Sequence, residues 1–203
     1  MLSPHPSPRP ARLIRAELRG LALEFETARG LFSPRHPDRG TLAMLAQVEF
    51  VPKDKVLDLG CGWGLAGVLA ARVIAPARVW LVEKDPRAVA CAAANLMRNG
   101  AAGAHCLASD GFAGLDESGF SKILCNPPFH TDFSVAKGFI EKGFNRLAIG
   151  GELWLVTRRE RWYVRKLAQI FGGARLRRSD GYRVFCAQRR SRRWAKAESR
   201  ASS

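Results

Sequence analysis

The chain has 203 residues, 47% of them hydrophobic, which suffices for one domain with a full core and excludes two comfortable ones. A formal net charge of +15 and a pI near 10.6 exceed what folding requires and point to a polyanionic partner, nucleic acid first, with solubility or membrane adhesion as the plainer reading. Five cysteines with no CxxC pair make a disulfide or zinc framework unexpected, so a reducing, cytoplasmic setting without a metal is expected, and no apolar run is long enough to span a membrane.

Residues 1–20 read as a flexible extension, with four prolines between Ser3 and Pro10 followed by an arginine-rich stretch expected as a short helix or arm. The alternation of Leu21, Leu23 and Phe25 predicts a half-buried strand over 21–27. Turn-rich Gly30-Leu31-Phe32-Ser33-Pro34 follows, and Asp38 then caps a helix running from 39 to about 48. Beyond Lys55 strands and helices alternate: a strand with a glycine loop and a helix (65–73), a strand (79–82), a helix (86–99) and a short strand (105–108). Another strand (122–125) precedes a helix (134–147), which Ile149-Gly150-Gly151 is expected to stop. A strand (152–157), a helix (162–171) and a hairpin (175–178 and 182–188) around Ser179-Asp180-Gly181 complete the domain. Such alternation predicts an α/β architecture with right-handed crossovers, a mostly parallel sheet and an antiparallel C-terminal strand pair. The domain is assigned to 21–188, with 189–203 as a basic tail.

Two segments carry the chemistry. In Asp58-Leu59-Gly60-Cys61-Gly62-Trp63-Gly64 the glycines permit a sharp strand-to-helix turn and a close approach of backbone to ligand. Gly62-x-Gly64-x-x-Gly67 also fits the dinucleotide pattern GxGxxG, which by itself is weak. The second segment is Asn126-Pro127-Pro128-Phe129-His130, where two prolines force a rigid turn at a strand end; it has no role in a dehydrogenase. With Asp58 it points instead to S-adenosylmethionine, with Gly60, Gly62 and Gly64 lining the cofactor, Asp58 serving its amino-acid end and Asn126 near its methyl. Glu83, ending the next strand, is expected to accept the ribose hydroxyls with its two oxygens, and Asp110 the adenine amino group. A solvated strand end is the plain reading of Glu83, and a helix cap that of Asp110.

Together with Gly30-Leu31-Phe32-Ser33, Asp38-x-Gly40-Thr41 and Gly150-Gly151-Glu152-Leu153, these segments resemble class I S-adenosylmethionine-dependent methyltransferases, and more narrowly the small-subunit ribosomal RNA guanine-N2 enzymes and their single-domain relatives. The resemblance covers roughly residues 25–189. It implies a Rossmann-like seven-stranded fold and methylation of a guanine exocyclic amine in RNA, with ribosomal RNA or a ribosomal particle as the substrate. Family members of that kind carry a second, degenerate domain ahead of the catalytic one, for which this chain has no room.

An exocyclic amine is a poor nucleophile because its lone pair is delocalised, so orientation is the main catalytic resource. Asn126 Oδ1 and the Pro127 carbonyl are expected to accept the two amino hydrogens, and Phe129 to stack on the extruded base. For His130 a hydrogen-bonding or packing role is favoured over that of general base. Arg158 and Arg159 head a run of C-terminal arginines suited to phosphates, with Trp162, Tyr163 and Trp194 interleaved as stacking or core residues. Two other readings stay open: a protein-glutamine or adenine-N6 methyltransferase, and an inactive RNA-binding assembly factor on the same fold.

Overall fold

A computed structural model of the chain describes residues 12–128 and 133–195. It begins with β1 (Arg12–Leu18) and β2 (Leu21–Thr27), an antiparallel hairpin turned at Arg19 and Gly20, both with positive φ. Residues 12–18 are therefore a strand, not the helix or arm expected of that stretch. Ile14 is buried, and Ala16 and Leu18 pack beside it on the core-facing side. This period of two is masked in the sequence by the charges that alternate with it.

The outer edge of β2 is covered by side chains of a helix. In α3 (Pro86–Arg98) Asn95 accepts from the Glu26 N–H and donates to the Glu26 carbonyl, while Asn99, at the helix end, does the same for Glu24. Two carboxamides one helical turn apart thus satisfy the backbone as a neighbouring strand would. The fully buried Asn95 also donates to the Trp63 carbonyl, so the hairpin is tied to the glycine loop.

The central sheet has seven strands in the order β5 (His105–Ala108), β4 (Val79–Glu83), β3 (Val56–Leu59), β6 (Phe120–Cys125), β7 (Leu147–Thr157), β9 (Tyr182–Gln188) and β8 (Arg175–Ser179). The first five are parallel, and β9 and β8 run antiparallel, as expected. Strand order reverses between β3 and β6, which opens a crevice at their carboxyl ends.

Two apolar clusters cover the two faces. One packs the hairpin, α1 (Arg39–Leu45), α2 (Leu65–Val73) and α3; the other packs α4 (Ser134–Arg146) and α5 (Arg161–Phe171). The stripe Tyr163, Leu167, Ile170 and Phe171 of α5 recurs in α4 as Ala136, Ile140, Gly143 and Phe144, the spacing by which a helix buries one face.

Gly150 and Gly151 do not stop α4, which ends at Arg146; they lie inside β7 at an irregularity of its pairing with β6. Gly150 has φ +85°, and a Cβ on Gly151 would stand 2.7 Å from the Phe120 carbonyl oxygen, so the glycines serve a bulge. Arg189 belongs to this region and not to the tail. Its N–H donates to the Gly151 carbonyl, its own carbonyl accepts from Gly150, and its guanidinium lies 4.8 Å from the Phe144 ring centre. Trp194 likewise packs on the α5 side of the core. Among the described residues no helix is long and apolar enough to cross a membrane, and no side chains group as metal ligands would.

Candidate active site at the carboxyl rim

A cavity of about 350 Å³ opens at the crevice and brings together Asp58, Gly60, Gly62, Glu83, Asp110, Asn126 and Pro127. That size suits a nucleoside-bearing ligand.

On the β3–β4 side the carboxylates organise backbone. Asp58, 5% exposed, accepts from the Gly67 N–H at 2.7 Å, which pins the first turn of α2 to β3. Burial pushes its carboxyl up to about 7; the Gly67 hydrogen bond opposes this rise and the nearby Glu83 charge adds to it. The loop between them needs its glycines, for Gly60, Gly62 and Gly64 have φ of +72°, +55° and +92°. Gly67 answers a different need: a Cβ there would sit 2.4 Å from Leu81 Cγ, so its absence lets α2 lie close on β4.

Glu83 Oε2 accepts from the Gly62 N–H at 3.1 Å, and Oε1 from the N–H groups of Lys84 and Asp85 at 2.7 and 3.1 Å. A carboxylate offers about four acceptor positions, and backbone already fills three of them. Backbone thus engages both oxygens, Oε2 with one N–H and Oε1 with two, which leaves Oε2 the less occupied of the pair. Asp110 stands exposed at the rim of the cavity.

Gly30-Leu31-Phe32-Ser33 lies against the glycine loop. The Trp63 indole N–H donates to the carbonyls of Phe32 and Ser33, and the ring packs edge-on against Phe25 at 5.0 Å. Sequence reasoning passes over Trp63 because a residue between two glycines looks like a turn filler.

On the β6–β7 side the decisive contacts are long-range. Asn126, at the end of β6, donates through Nδ2 to Asp38 Oδ1 at 2.8 Å and to Thr41 Oγ1 at 3.0 Å. Asp38 is the N-cap of α1, as expected, accepting from the Thr41 N–H at 2.8 Å. That the cap also holds Asn126 is not visible in the sequence. The motif Asp38-x-Gly40-Thr41 now has a physical reading. A Cβ on Gly40 would stand 2.7 Å from Tyr182 Cε1, so glycine lets the Tyr182 ring pack on α1.

Arg158 and Arg159 emerge at the end of β7, on the same rim. The Arg158 guanidinium lies 4.9 Å from the Tyr182 ring centre and donates to its hydroxyl, and Arg159 lies 5.0 Å from the ring centre of Phe133. Phe133 in turn stacks on Trp162 at 4.3 Å. Several other arginines are engaged internally: Arg178 and Arg183 with Glu160, and Arg175 with Glu152. Phe129 and His130 lie outside the described residues.

The sequence model of the family described as "Methyltransferase small domain" matches residues 22–186. A curated relative in Pseudomonas paraeruginosa, named ribosomal RNA small subunit methyltransferase C, is 35% identical over 172 residues, which are 82% of this chain and 51% of the relative. A relative of the same name in Pseudomonas putida is 32% identical with the same coverage. The chain thus spans about half the length of the curated relatives it matches. Among solved structures, a T. thermophilus 16S rRNA N2 methyltransferase in complex with AdoMet and guanosine superposes with a TM-score of 0.83 at 31% identity, covering 92% of this chain and 52% of that one.

Proposed function

Since this chain belongs to the methyltransferase small domain family, we propose that it transfers a methyl group from S-adenosylmethionine to the exocyclic N2 amine of a guanine in RNA, with ribosomal RNA as the substrate. The observation that carries this reading is the position of Asn126 in one cavity with Asp58 and Glu83, so that a carboxamide and two carboxylates line the same space. The residues present suit the cofactor. Glu83 would hold the ribose hydroxyls, Asp110 the adenine amino group at the rim, and Asp58 with the Gly60-to-Gly64 backbone the amino-acid end. When bound, the cofactor supplies an electrophilic methyl on a positively charged sulfur.

The protein's own part is orientation. Asn126 Oδ1 and the Pro127 carbonyl accept the two amino hydrogens and turn the nitrogen lone pair toward the methyl. With the cofactor bound, the N–C bond would form as the S–C bond broke, and the surplus proton would pass to water. Phe129 is assigned to stacking on the base, His130 to hydrogen bonding, and Arg158 and Arg159 to phosphates at the rim. Support for an RNA partner comes from the charge of +15, from the names of the curated relatives, and from the guanosine in the T. thermophilus structure.

The test is methyl transfer from labelled S-adenosylmethionine to total RNA and total protein of the source cell lacking this gene, followed by nucleoside and amino-acid analysis. N2-methylguanosine is expected. Label in N6-methyladenosine or protein glutamine would move the substrate elsewhere, and cofactor binding without any transfer would favour an assembly factor.

A further inference from the structure

Asn126 can accept a hydrogen bond from a target amine only if its Oδ1, and not its Nδ2, faces the reacting nitrogen. The two ends of a carboxamide have nearly the same shape, so shape does not choose between them. The neighbours do. Asp38 Oδ1 receives three donors: the Thr41 N–H at 2.8 Å, the Thr41 hydroxyl at 3.2 Å and Asn126 Nδ2 at 2.8 Å. Having given its proton to Asp38, the Thr41 hydroxyl presents a lone pair, which accepts the second hydrogen of Asn126 Nδ2 at 3.0 Å. Every direction in this triangle follows from one fact, that a carboxylate only accepts.

We propose that Asp38, acting with Thr41, is the positioning residue that sets the polarity of Asn126, so that the amide presents an acceptor to the target and the site selects nucleophiles bearing N–H. Turned over, Asn126 would set its oxygen against the Asp38 oxygen at the distance its Nδ2 now occupies, and its amide donors against the amine hydrogen that Oδ1 would otherwise accept. An oxygen or ring nitrogen without hydrogen would meet a lone pair at Asn126 and be disfavoured for the same reason. The inference deepens the methyl-transfer reading and rests on it.

The N-cap role of Asp38 can be separated from this one. Serine caps a helix about as well as aspartate but is one atom shorter, so Asp38→Ser keeps α1 capped and withdraws the acceptor from Asn126. Asparagine keeps a carbonyl oxygen at the same place, so Asp38→Asn serves as the conservative rescue. Thr41→Val leaves the cap N–H and removes only the second acceptor.

With wild type in parallel, kcat for methyl transfer to RNA is expected to fall on the order of tenfold to hundredfold in Asp38→Ser, to fall several-fold in Thr41→Val, and to return most of the way to wild type in Asp38→Asn. The dissociation constant for S-adenosylhomocysteine and the melting temperature should stay near wild type. By NMR, the side-chain NH2 of Asn126 should give two separate, exchange-protected resonances in wild type and Asp38→Asn, which disappear in Asp38→Ser. Wild-type kcat in Asp38→Ser, or an Asp38→Asn loss as deep as that of Asp38→Ser, would overturn the proposal, the latter by showing that negative charge rather than an acceptor is required. If Asp38→Ser does not fold, an unchanged kcat in Thr41→Val overturns it and a several-fold loss supports it. Transfer by wild type to a nucleophile other than guanine N2 would instead sink the substrate reading, and the amide resonances would still report the polarity.

Discussion

On the β3–β4 side of the carboxyl rim, Asp58 and Glu83 hydrogen-bond glycine N–H groups 9 and 21 residues away along the chain, whereas on the β6–β7 side Asn126 finds Asp38 across 88 residues. The first half is therefore assembled by one βαβ unit and closes its carboxylates onto its own backbone. The second half exists only once α1 has been carried across the sheet to the end of β6. Under the proposed function, this difference teaches that binding a nucleoside and orienting a target are separable demands, met by local and long-range structure respectively.

Substitutions on the two sides should accordingly fail in different ways. The largest effect is expected from Asn126→Ala, which should lower kcat on the order of a hundredfold or more while leaving cofactor affinity within a few-fold, as read by single-turnover transfer beside calorimetric binding. Equal loss of binding in that variant would dissolve the separation. Glu83→Ala should do the reverse. Losing hydrogen bonds to a charged group costs about 1.5–3 kcal/mol, so cofactor binding should weaken roughly tenfold to hundredfold, with kcat at saturating cofactor nearly kept.

A third test uses pH. Between the ordinary carboxyl value of 3.8 and about 7, folded Asp58 retains a proton that the unfolded chain has released. Unfolding free energy should therefore fall as pH rises through that window, and Asp58→Asn should remove this slope from a series of melting curves. The cationic cofactor favours the ionised carboxyl, so its affinity should rise with pH toward about 7 and level off above it. A wild-type melting profile parallel to that of Asp58→Asn would contradict the buried, proton-holding carboxyl.

The smallest effects belong to the rim arginines. Arg158→Ala and Arg159→Ala should raise KM for RNA several-fold and reduce the slope of log affinity against log salt by about one for each phosphate no longer neutralised, without touching cofactor binding. An unchanged slope in both would remove these residues from the RNA path.

Much of the fold is legible in the sequence because its signals are local. The helices over 65–73 and 86–98 and the strands at 105–108 and 182–188 follow from short-range periodicity and caps. Two expectations fail where tertiary packing overrides a local cue. Charges at Arg15 and Glu17 hide the buried face of β1, and Gly150-Gly151 looks like a helix stop when it is a bulge that lets β7 pair past Phe120. Arg189 and Trp194 look like tail residues for a similar reason, since only the folded chain shows what they touch.

By itself the sequence determined the order of strands and helices, the glycine loop, and the acidic and amide residues that meet at the strand ends, because these depend on φ freedom, alternation and helix caps within a few residues. Only the tertiary structure decided that the Gly62 N–H reaches Glu83, that α3 carboxamides close the edge of β2, and that Asp38 grips Asn126. Each of these is a hydrogen bond between groups far apart in the chain, and its direction and reach are set only when the sheet and both helical layers have packed.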